Sequence, residues 1–340
     1  MTRVIEQLHE PVLVVGGYGY RNIGDEAILA GLLTRLGPRT VTVISRNPAE
    51  TTRLHGVPAI GIGAAGPALL RHRSLVIGGG GLFGRDMGSI GRLLPLFGLA
   101  AMALGRSVMV EGVDIDANLA PSARALLPRL LRHATHVTVR DRRSVAILEG
   151  WEVDASLAPD LSQWMPMPSA DVGRQLLRTA GVDTGRSVVG LALAGIQPAL
   201  ADAALAAVAS TMDALPDTQF CFIPMSRHPR VPAHDDLRLG HRLRAMQPRL
   251  AVVEGECHPG AVLSAFGLLS VVVSMRYHGM LFAERASVPL VPLVYAEKNV
   301  RWLDERDLLA IPAAVEPVLA ALRSALARDR RVVVSTPVAS

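Results

Sequence analysis

The fold is decided by residues 11–26, whose sequence is PVLVVGGYGYRNIGDE. The continuous apolar run Pro11–Val15 predicts a buried parallel strand. Glycines follow it, and Asp25 and Glu26 are typical of the cap and first turn of a helix that reaches about Leu36. A strand, a glycine-rich loop and a helix N-terminus can together hold a polar ligand on backbone N–H groups. An ordinary β–α turn is the alternative interpretation.

Short apolar runs and helical segments alternate along the rest of the chain. This alternation predicts a parallel sheet in each half. The further predicted strands are 40–45, 74–77, 107–110 and 137–139 in one half, and 187–191, 220–224, 251–253, 271–273 and 290–295 in the other.

A length of 340 residues exceeds what one hydrophobic core usually supports. We therefore predict an α/β protein with two Rossmann-like domains facing a cleft, where pockets are favoured. The N-terminal domain would cover residues 1–170 and the C-terminal domain residues 186–315, with a linker near 166–186. Residues 316–340 would form a C-terminal helix, which could cross back to the first domain, and a tail.

The composition excludes several classes of function. Half of the residues are hydrophobic and 19% are charged, which suits a compact protein rather than a disordered one. Aromatic residues make up only 4%, so the stacking surface of a single-strand nucleic-acid binder is missing. The net charge of +5 leaves an anionic substrate or an anionic membrane surface as candidate partners, and we expect no nucleic acid.

The two cysteines have no metal-ligand spacing and imply no disulfide framework. Cys221 lies in a strand-like run and is expected in the core, whereas Cys257 beside His258 leaves a nucleophile as a disfavoured alternative. The N-terminus carries charges where a signal peptide needs an apolar core, and no segment is long enough to span a bilayer. We expect a cytoplasmic protein, with room for peripheral association at the inner face of the membrane.

A second glycine cluster follows the strand predicted at 74–77. Gly79, Gly81 and Gly84 match the spacing of a dinucleotide fingerprint, but no acidic residue stands about twenty positions later at a strand end. A nucleotide site is therefore disfavoured, and the glycines more simply let the backbone approach a ligand. After the strand at 137–139, Arg140 and Asp141 could be catalytic, and an ion pair between them is the preferred interpretation.

Residues 274–279, with the sequence SMRYHG, follow the strand at 271–273 and precede a helix. Ligands bind beyond the carboxyl ends of strands in an open α/β sheet, which puts Arg276 and His278 where a substrate would bind. A guanidinium fork suits a carboxylate or phosphate, and an imidazole can move a proton near neutral pH. A surface arginine and a capping histidine form the alternative interpretation.

Five motifs in order give the chain a resemblance to the polysaccharide pyruvyl transferase family from about residue 12 to 303. They are Gly17-Tyr18 with Asn22, Gly24, Asp25 and Glu26; the glycine run Ile77–Gly81; Pro159-Asp160; Ile223-Pro224-Met225; and Ser274-x-Arg276-x-His278-Gly279. Tyr277 stands where the family more usually has Leu. The resemblance is strongest to members that modify secondary cell-wall polymers on a lipid-linked intermediate.

The resemblance implies a GT-B-type architecture and transfer of the enolpyruvyl unit of phosphoenolpyruvate onto two hydroxyls of a sugar, forming a pyruvate ketal and releasing phosphate. The acceptor would be a sugar polymer or a lipid-linked oligosaccharide of the cell surface. Phosphoenolpyruvate is the donor substrate, and neither a cofactor nor a metal is expected. The acceptor sugar, the ketalised hydroxyls, the catalytic base and homo-oligomer formation stay open.

The same chemistry suggests residue roles. Arg276, with Lys298 after the final strand, would hold the anionic donor, and His278 would protonate it. His228, Asp25 and Glu26 are candidates for the acceptor side. The full set of expected substrate-binding residues is Gly17, Tyr18, Asn22, Asp25, Glu26, Gly79, Gly80, Gly81, His228, Ser274, Gly279 and Lys298.

Two other functions stay open at this point. A nucleotide-sugar glycosyltransferase of the same architecture would bind a nucleotide diphosphate rather than phosphoenolpyruvate. A non-catalytic sugar-polymer-binding protein would keep affinity for the acceptor but show no turnover.

Overall fold

The structure is a computed structural model that describes residues 7–84, 88–116, 118–119 and 121–327, without the side chains of residues 88–92. The chain separates into two compact units. The first contains the residues before Arg21 together with Asp25–Pro166, and the second contains Arg21–Gly24 together with the chain from Met167 onward.

The first unit is built on a seven-stranded parallel sheet. Its strands are β1 Val12–Val15, β2 Val41–Ile44, β3 Ala59–Ile60, β4 Ser74–Phe83, β5 Ser107–Ile115, β6 His136–Val139 and β7 Ser156–Leu157. The helices between them are α1 Ile23–Leu36, α2 Pro48–His55, α3 Ala65–Arg71, α4 Gly88–Ala103, α5 Pro121–His133 and α6 Arg142–Glu149. All four residues of β1 are buried, as expected for a central strand covered on both faces.

The strand order of this sheet is β3-β2-β1-β4-β5-β6-β7. Because β1 pairs with both β2 and β4, the order of strands reverses between β1 and β4. In doubly wound sheets this switch point opens a crevice at the carboxyl ends of the strands, where ligands bind. The glycine-rich segment after β1 and the glycine run inside β4 both lie at this point.

An ion pair expected between Arg140 and Asp141 is corrected by the structure. Asp141 caps α6, and its carboxylate accepts the Ser144 N–H at 2.7 Å. Arg140 instead pairs with Asp114 and with Asp160, the latter at 2.7 Å. The short side chain of an aspartate just before a helix favours capping over pairing with its neighbour.

The second unit is built on a five-stranded parallel sheet of order β10-β9-β8-β11-β12. Its strands are β8 Val188–Ala192, β9 Gln219–Phe222, β10 Ala251–Val252, β11 Val271–Ser274 and β12 Leu290–Pro292. Its helices are α7 Ala170–Thr179, α8 Pro198–Ala214, α9 Asp236–Met246, α10 Pro259–Phe266, α11 Tyr277–Arg285, α12 Glu297–Asp304 and α13 Val315–Ala327. The switch point lies between β8 and β11, so Arg276 follows directly from it.

The helices α7 and α13 both pack within the second unit. In α7 the Gly173 N–H donates to Ser264 Oγ at 3.1 Å, and no Cβ would fit against the backbone of α10 there. In α13 the side chains Val318 and Leu322 are fully buried in the core of this unit. The expectation that this last helix crosses to the first domain is therefore wrong.

Residues 332–334, predicted as a further apolar run, lie outside the described residues. Within the described part of the chain, no helix combines the length and the apolar character needed to cross a bilayer.

Candidate functional site

The turn after β11 is held in one conformation by its own residues. The buried Ser274 hydroxyl donates to the Arg276 carbonyl at 2.9 Å. A Cβ on Gly279 would overlap that hydroxyl and would lie 3.0 Å from Cβ of Ala192. Ser274 and Gly279 are both buried and shape the turn, and their expected contact with substrate stays a prediction.

Arg276 is tied to a carboxylate that sequence reasoning did not find. Its Nε donates to Asp236 Oδ2 at 2.9 Å and its Nη2 donates to Asp236 Oδ1. The side chain of Asp236 is fully buried and that of Arg276 is 12% exposed. Burial alone would lower the pKa of Arg276, but the adjacent Asp236 carboxylate, with Tyr295, raises it above its ordinary value. The guanidinium is therefore a permanent charge in a fixed orientation.

Asp236 also fixes the loop that follows β9. Its Oδ2 accepts the Ser226 N–H at 2.9 Å, and its own N–H donates to the Ser226 carbonyl at 2.8 Å. The same loop pairs with the first residue of α1, since the Ile23 N–H donates to the Met225 carbonyl at 2.8 Å. One buried carboxylate thus connects the arginine turn to the loop that carries the Ile223-Pro224-Met225 motif, and through that loop to residues 21–23.

His278 lies in the first turn of α11, where Gly24 packs against its ring. A Cβ on Gly24 would overlap Nδ1 of the imidazole, so only glycine allows this approach. The Gly24 N–H in turn donates to Asn22 Oδ1 at 3.0 Å, which makes Asn22 the capping residue of α1. Asp25 was expected to be that cap, but the helix begins at Ile23 and Asp25 lies in its first turn.

Tyr277, the residue that departs from the family pattern, contacts two of the candidate residues. Its ring meets the His278 ring edge-on at a centroid distance of 5.4 Å. Lys298 Nζ lies 5.7 Å from the centroid of the same ring, a cation–π distance. The structure therefore brings His278, Lys298 and Arg276 to the same end of the second sheet.

His228 belongs to the loop after β9, and its ring accepts two hydrogen bonds from backbone groups of that loop. Its Nδ1 accepts the backbone N–H groups of Arg230 and Val231 at 3.1 and 3.0 Å. Burial and the charge of Arg230 lower the pKa of His228. It is therefore a neutral imidazole near pH 7, and its role on the acceptor side stays a prediction.

The first switch point is shaped by the close approach of two glycine-rich segments. A Cβ on Gly16 would lie 2.6 Å from the Gly78 carbonyl, and Gly79 and Gly80 have φ of +61° and +81°. Glycine is required at these positions because other residues rarely adopt positive φ. The Asp25 carboxylate lies 3.5 Å from the Cβ position of Gly17 and 3.6 Å from that of Gly80. The expected substrate-binding residues Gly17, Asp25 and Gly80 therefore lie together.

Gly81 lies at the same strand end but beside another carboxylate. Its Cβ position is 3.2 Å from Asp114 Oδ1, the aspartate that pairs with Arg140.

Two other expected substrate-binding residues, Tyr18 and Glu26, are buried and hydrogen-bonded. Tyr18 is 1% exposed, and its hydroxyl donates to the Gly78 carbonyl at 2.9 Å. Burial, with the charges of Asp25 and Glu26, raises the pKa of Tyr18 well above its ordinary value. Glu26 is buried against His55, whose Nε2 lies 2.8 Å from Oε2, and it accepts the Gly19 N–H at 2.9 Å. Both residues hold the loop in place, and their contact with a ligand stays a prediction.

Neither cysteine is suited to act as a nucleophile. Cys221 is buried in β9, as predicted, and burial raises its pKa to about 12. Burial likewise raises the pKa of the Cys257 thiol to about 11. Both thiols are protonated near neutral pH, and the thiolate is the reactive form.

Sequence reasoning missed Asp236, Tyr295 and Gly24 as parts of this site. Asp236 follows Asp235 at the start of a predicted helix, where an aspartate already has an ordinary explanation as a cap. Only an unusually polar start to α9 could have indicated it. Gly24 appeared in the first motif, but its contact with His278 depends on tertiary packing.

The overall structure is similar to solved enzymes that act on nucleotide sugars. One is UDP-GlcNAc 2-epimerase from Methanocaldococcus jannaschii, with 12% identity, a TM-score of 0.63 and 94% of each chain covered. Another is UDP-GlcNAc 2-epimerase from Neisseria meningitidis bound to UDP-GlcNAc, with 10% identity, a TM-score of 0.63, and 92% of this chain and 90% of that one covered. A third is ADP-heptose LPS heptosyltransferase II from E. coli, with 16% identity, a TM-score of 0.53, and 93% of this chain and 98% of that one covered.

At these identities the likeness shows the fold alone, and it confirms the predicted GT-B-type α/β class. No curated protein sequence matches the chain. The family model of polysaccharide pyruvyl transferase matches residues 22–297, which is most of the chain and spans four of the five motifs in full. The resemblance found from those motifs is confirmed, and the chain belongs to the polysaccharide pyruvyl transferase family.

Proposed function

We propose that this protein transfers a pyruvyl group from phosphoenolpyruvate to a sugar of a cell-surface polysaccharide or of its lipid-linked precursor. The product is a pyruvate ketal, and inorganic phosphate is released. One observation carries the proposal. Two motifs within the residues matched by the family model, the Arg276 turn and the Ile223-Pro224-Met225 loop, are joined by the buried side chain of Asp236.

The paired arginine supports binding of an anionic donor. A guanidinium carries five N–H donors, and Asp236 takes two of them. The carboxylate also offsets part of the positive charge, so a donor with both a carboxylate and a phosphate requires a second cation. Lys298 supplies one at the same end of the sheet, held over the Tyr277 ring.

His278 is proposed as the general acid. Its proton goes to the methylene carbon of phosphoenolpyruvate as the C=C electron pair forms the new C–H bond, which leaves an oxocarbenium-like centre at the adjacent carbon. A sugar hydroxyl attacks that carbon and loses its proton to a base. A second hydroxyl then displaces phosphate: its oxygen bonds to the same carbon, the C–O bond to phosphate breaks, and the departing phosphate takes up the proton of that hydroxyl. The contact with Gly24 holds the imidazole in place, which an efficient proton transfer requires.

Asp25 is proposed to act on the acceptor side. It lies among glycines whose missing side chains leave room beside its carboxylate. A carboxylate in such a position can accept the proton of an attacking hydroxyl.

Ligand-dependent thermal unfolding tests the donor assignment, because a ligand that binds only the folded state raises the melting temperature. We expect phosphoenolpyruvate to raise it and UDP-GlcNAc to leave it unchanged. Phosphate release from phosphoenolpyruvate should then depend on an added lipid-linked sugar acceptor.

Two outcomes would contradict the proposal. Stabilisation by UDP-GlcNAc and none by phosphoenolpyruvate would favour a nucleotide-sugar glycosyltransferase. Acceptor binding without phosphate release across a panel of acceptors would favour a sugar-binding protein.

A further inference from the structure

An apolar cavity of about 400 Å³ lies in the first unit at the carboxyl ends of β1 and β2. Val15 and Ile44, the last residues of these strands, line it together with Gly66 of α3 and Phe97 and Ala100 of α4. The volume falls within the range of roughly 300–1,000 Å³ that is typical of ligand pockets. The cavity borders the glycine-rich loop described above, since Gly16 and Tyr18 also line it.

Large apolar side chains remain exposed around this cavity. Ile62, Leu93 and Leu96 line it and are 42%, 58% and 54% exposed. Apolar side chains gathered at a cavity while still exposed to water indicate a site for an apolar ligand, since a ligand there would remove them from solvent.

A cation lies among the lining residues. Arg46 is exposed, its Nε donates to the Tyr20 hydroxyl at 2.7 Å, and its guanidinium lies 5.7 Å from the centroid of the Tyr20 ring. Both residues line the cavity. Because Tyr20 takes only one of the five N–H donors and orients the group, the guanidinium suits a phosphate at the edge of an apolar site.

We propose that this cavity binds the single hydrocarbon chain of a lipid phosphate, with the phosphate at Arg46. The loop after β1 connects the two sites, because Gly16 and Tyr20 line the cavity while Gly17 lies beside Asp25. Assigning this lipid as the carrier of the acceptor sugar rests on the proposed function. The prediction that the cavity binds a lipid phosphate does not rest on the proposed function, because binding is measured without turnover.

Two glycines give a matched test of the cavity. An added Cβ has no atom within 4 Å at either Gly66 or Gly63, and neither has a positive φ. Only Gly66 lines the cavity. In calorimetric titrations with decyl phosphate kept monomeric, we expect Gly66→Phe to weaken binding at least about tenfold and Gly63→Phe to change it less than about twofold. Equal binding by both variants would overturn the proposal.

A second variant at a different element guards against local misfolding of α3. Ala100→Phe, at an exposed position of α4 that lines the cavity, should weaken decyl phosphate binding in the same way. Thermal unfolding of each variant shows whether it folds. Folded Ala100→Phe protein that binds like the parent would likewise overturn the cavity assignment.

Chain length and head group provide further readouts. Affinity should rise about fourfold for each methylene between octyl and decyl phosphate, the fold change that corresponds to about 0.8 kcal/mol per buried methylene. Arg46→Gln should weaken decyl phosphate binding about tenfold and leave decanol binding unchanged. Affinity independent of chain length would overturn the apolar site, and an unaffected Arg46→Gln variant would overturn the phosphate assignment.

This result can be separated from the donor chemistry. A protein that binds decyl phosphate in the cavity but releases no phosphate from phosphoenolpyruvate would keep this site and lose the proposed function. A protein that turns over but does not bind decyl phosphate would lose only this site.

Discussion

The two switch points of the molecule have the same topology and opposite chemistry. Each sheet contains the strand order that places its first and fourth strands side by side, β1 with β4 and β8 with β11. In the first unit the crevice is lined by glycines and by the Asp25 carboxylate. In the second it holds a buried arginine–aspartate pair and an imidazole.

This difference is consistent with the proposed roles, in which the first unit binds the acceptor and the second the donor. Glycines leave space and expose backbone groups, which suits a bulky polar ligand such as a sugar. A fixed guanidinium and an imidazole suit a small anion that must be protonated. Strand order determines where each site lies, and the side chains that follow the strands determine what it binds.

The largest effect is expected at Asp236. Asp236→Asn removes the charge that pairs with a nearly buried guanidinium, and breaking such a pair typically costs about 3–5 kcal/mol of unfolding free energy. Urea denaturation measures this loss. Asp202→Asn is the control because its ion pair with Arg242 is 59% exposed on both sides, and about 0–1 kcal/mol is expected there.

A double variant sharpens this prediction. Asp236→Leu combined with Arg276→Met replaces both charges with apolar groups and should recover much of the lost stability, since no charge is left buried alone. It should still release no phosphate from phosphoenolpyruvate. An active double variant would show that the pair serves only the fold.

The next largest effect is expected at His278. His278→Gln keeps approximate size and hydrogen bonding but cannot donate a proton at neutral pH, so turnover should fall about a hundredfold. Donor affinity, measured by calorimetry, should change little. His133→Gln, at an exposed position of α5, is the control and should behave like the parent. Turnover near the parent rate in His278→Gln would contradict the acid assignment.

The sequence predicted the sheets well because continuous apolar runs such as Val12–Val15 and Val271–Val273 are typical of buried parallel strands. It also placed Arg276 correctly at a strand end. It could not predict Asp236, whose contact with Arg276 joins residues 40 positions apart. It also could not predict that Tyr18 and Glu26 are buried, because a motif gives residue identity and spacing but not the depth at which a side chain lies.

A smaller effect tests how the first motif supports His278. Gly24→Ala puts a methyl group where the imidazole now lies, so the ring must move. A displacement of about 1 Å can cost up to roughly a hundredfold in rate, and we expect a loss of about tenfold in turnover. Gly63→Ala, which has open space around its Cβ, should leave turnover unchanged. Unaltered kinetics in Gly24→Ala would show that the ring position is not important.

The smallest effect is expected in the first unit, at Tyr18. Tyr18→Phe removes the hydrogen bond to Gly78 and leaves that carbonyl without this donor, at a cost of about 1–2 kcal/mol of unfolding free energy. Tyr18 is buried and lies in the first unit, whereas the proposed donor site lies in the second, so phosphoenolpyruvate affinity should not change. A weaker donor affinity in this variant would contradict the division of roles between the two switch points.

The pH dependence of the stability of Tyr18→Phe tests whether burial raises the pKa of Tyr18. Burial raises the pKa of Tyr18, so above about pH 10 the unfolded chain ionises this residue while the folded chain keeps it protonated. The folded state then binds more protons, and its stability falls as the pH rises. Urea denaturation near pH 10 and above should show a smaller loss for Tyr18→Phe than for the parent. Parallel losses in both proteins would mean that the tyrosine ionises as readily when folded, which its buried hydrogen bond to Gly78 argues against.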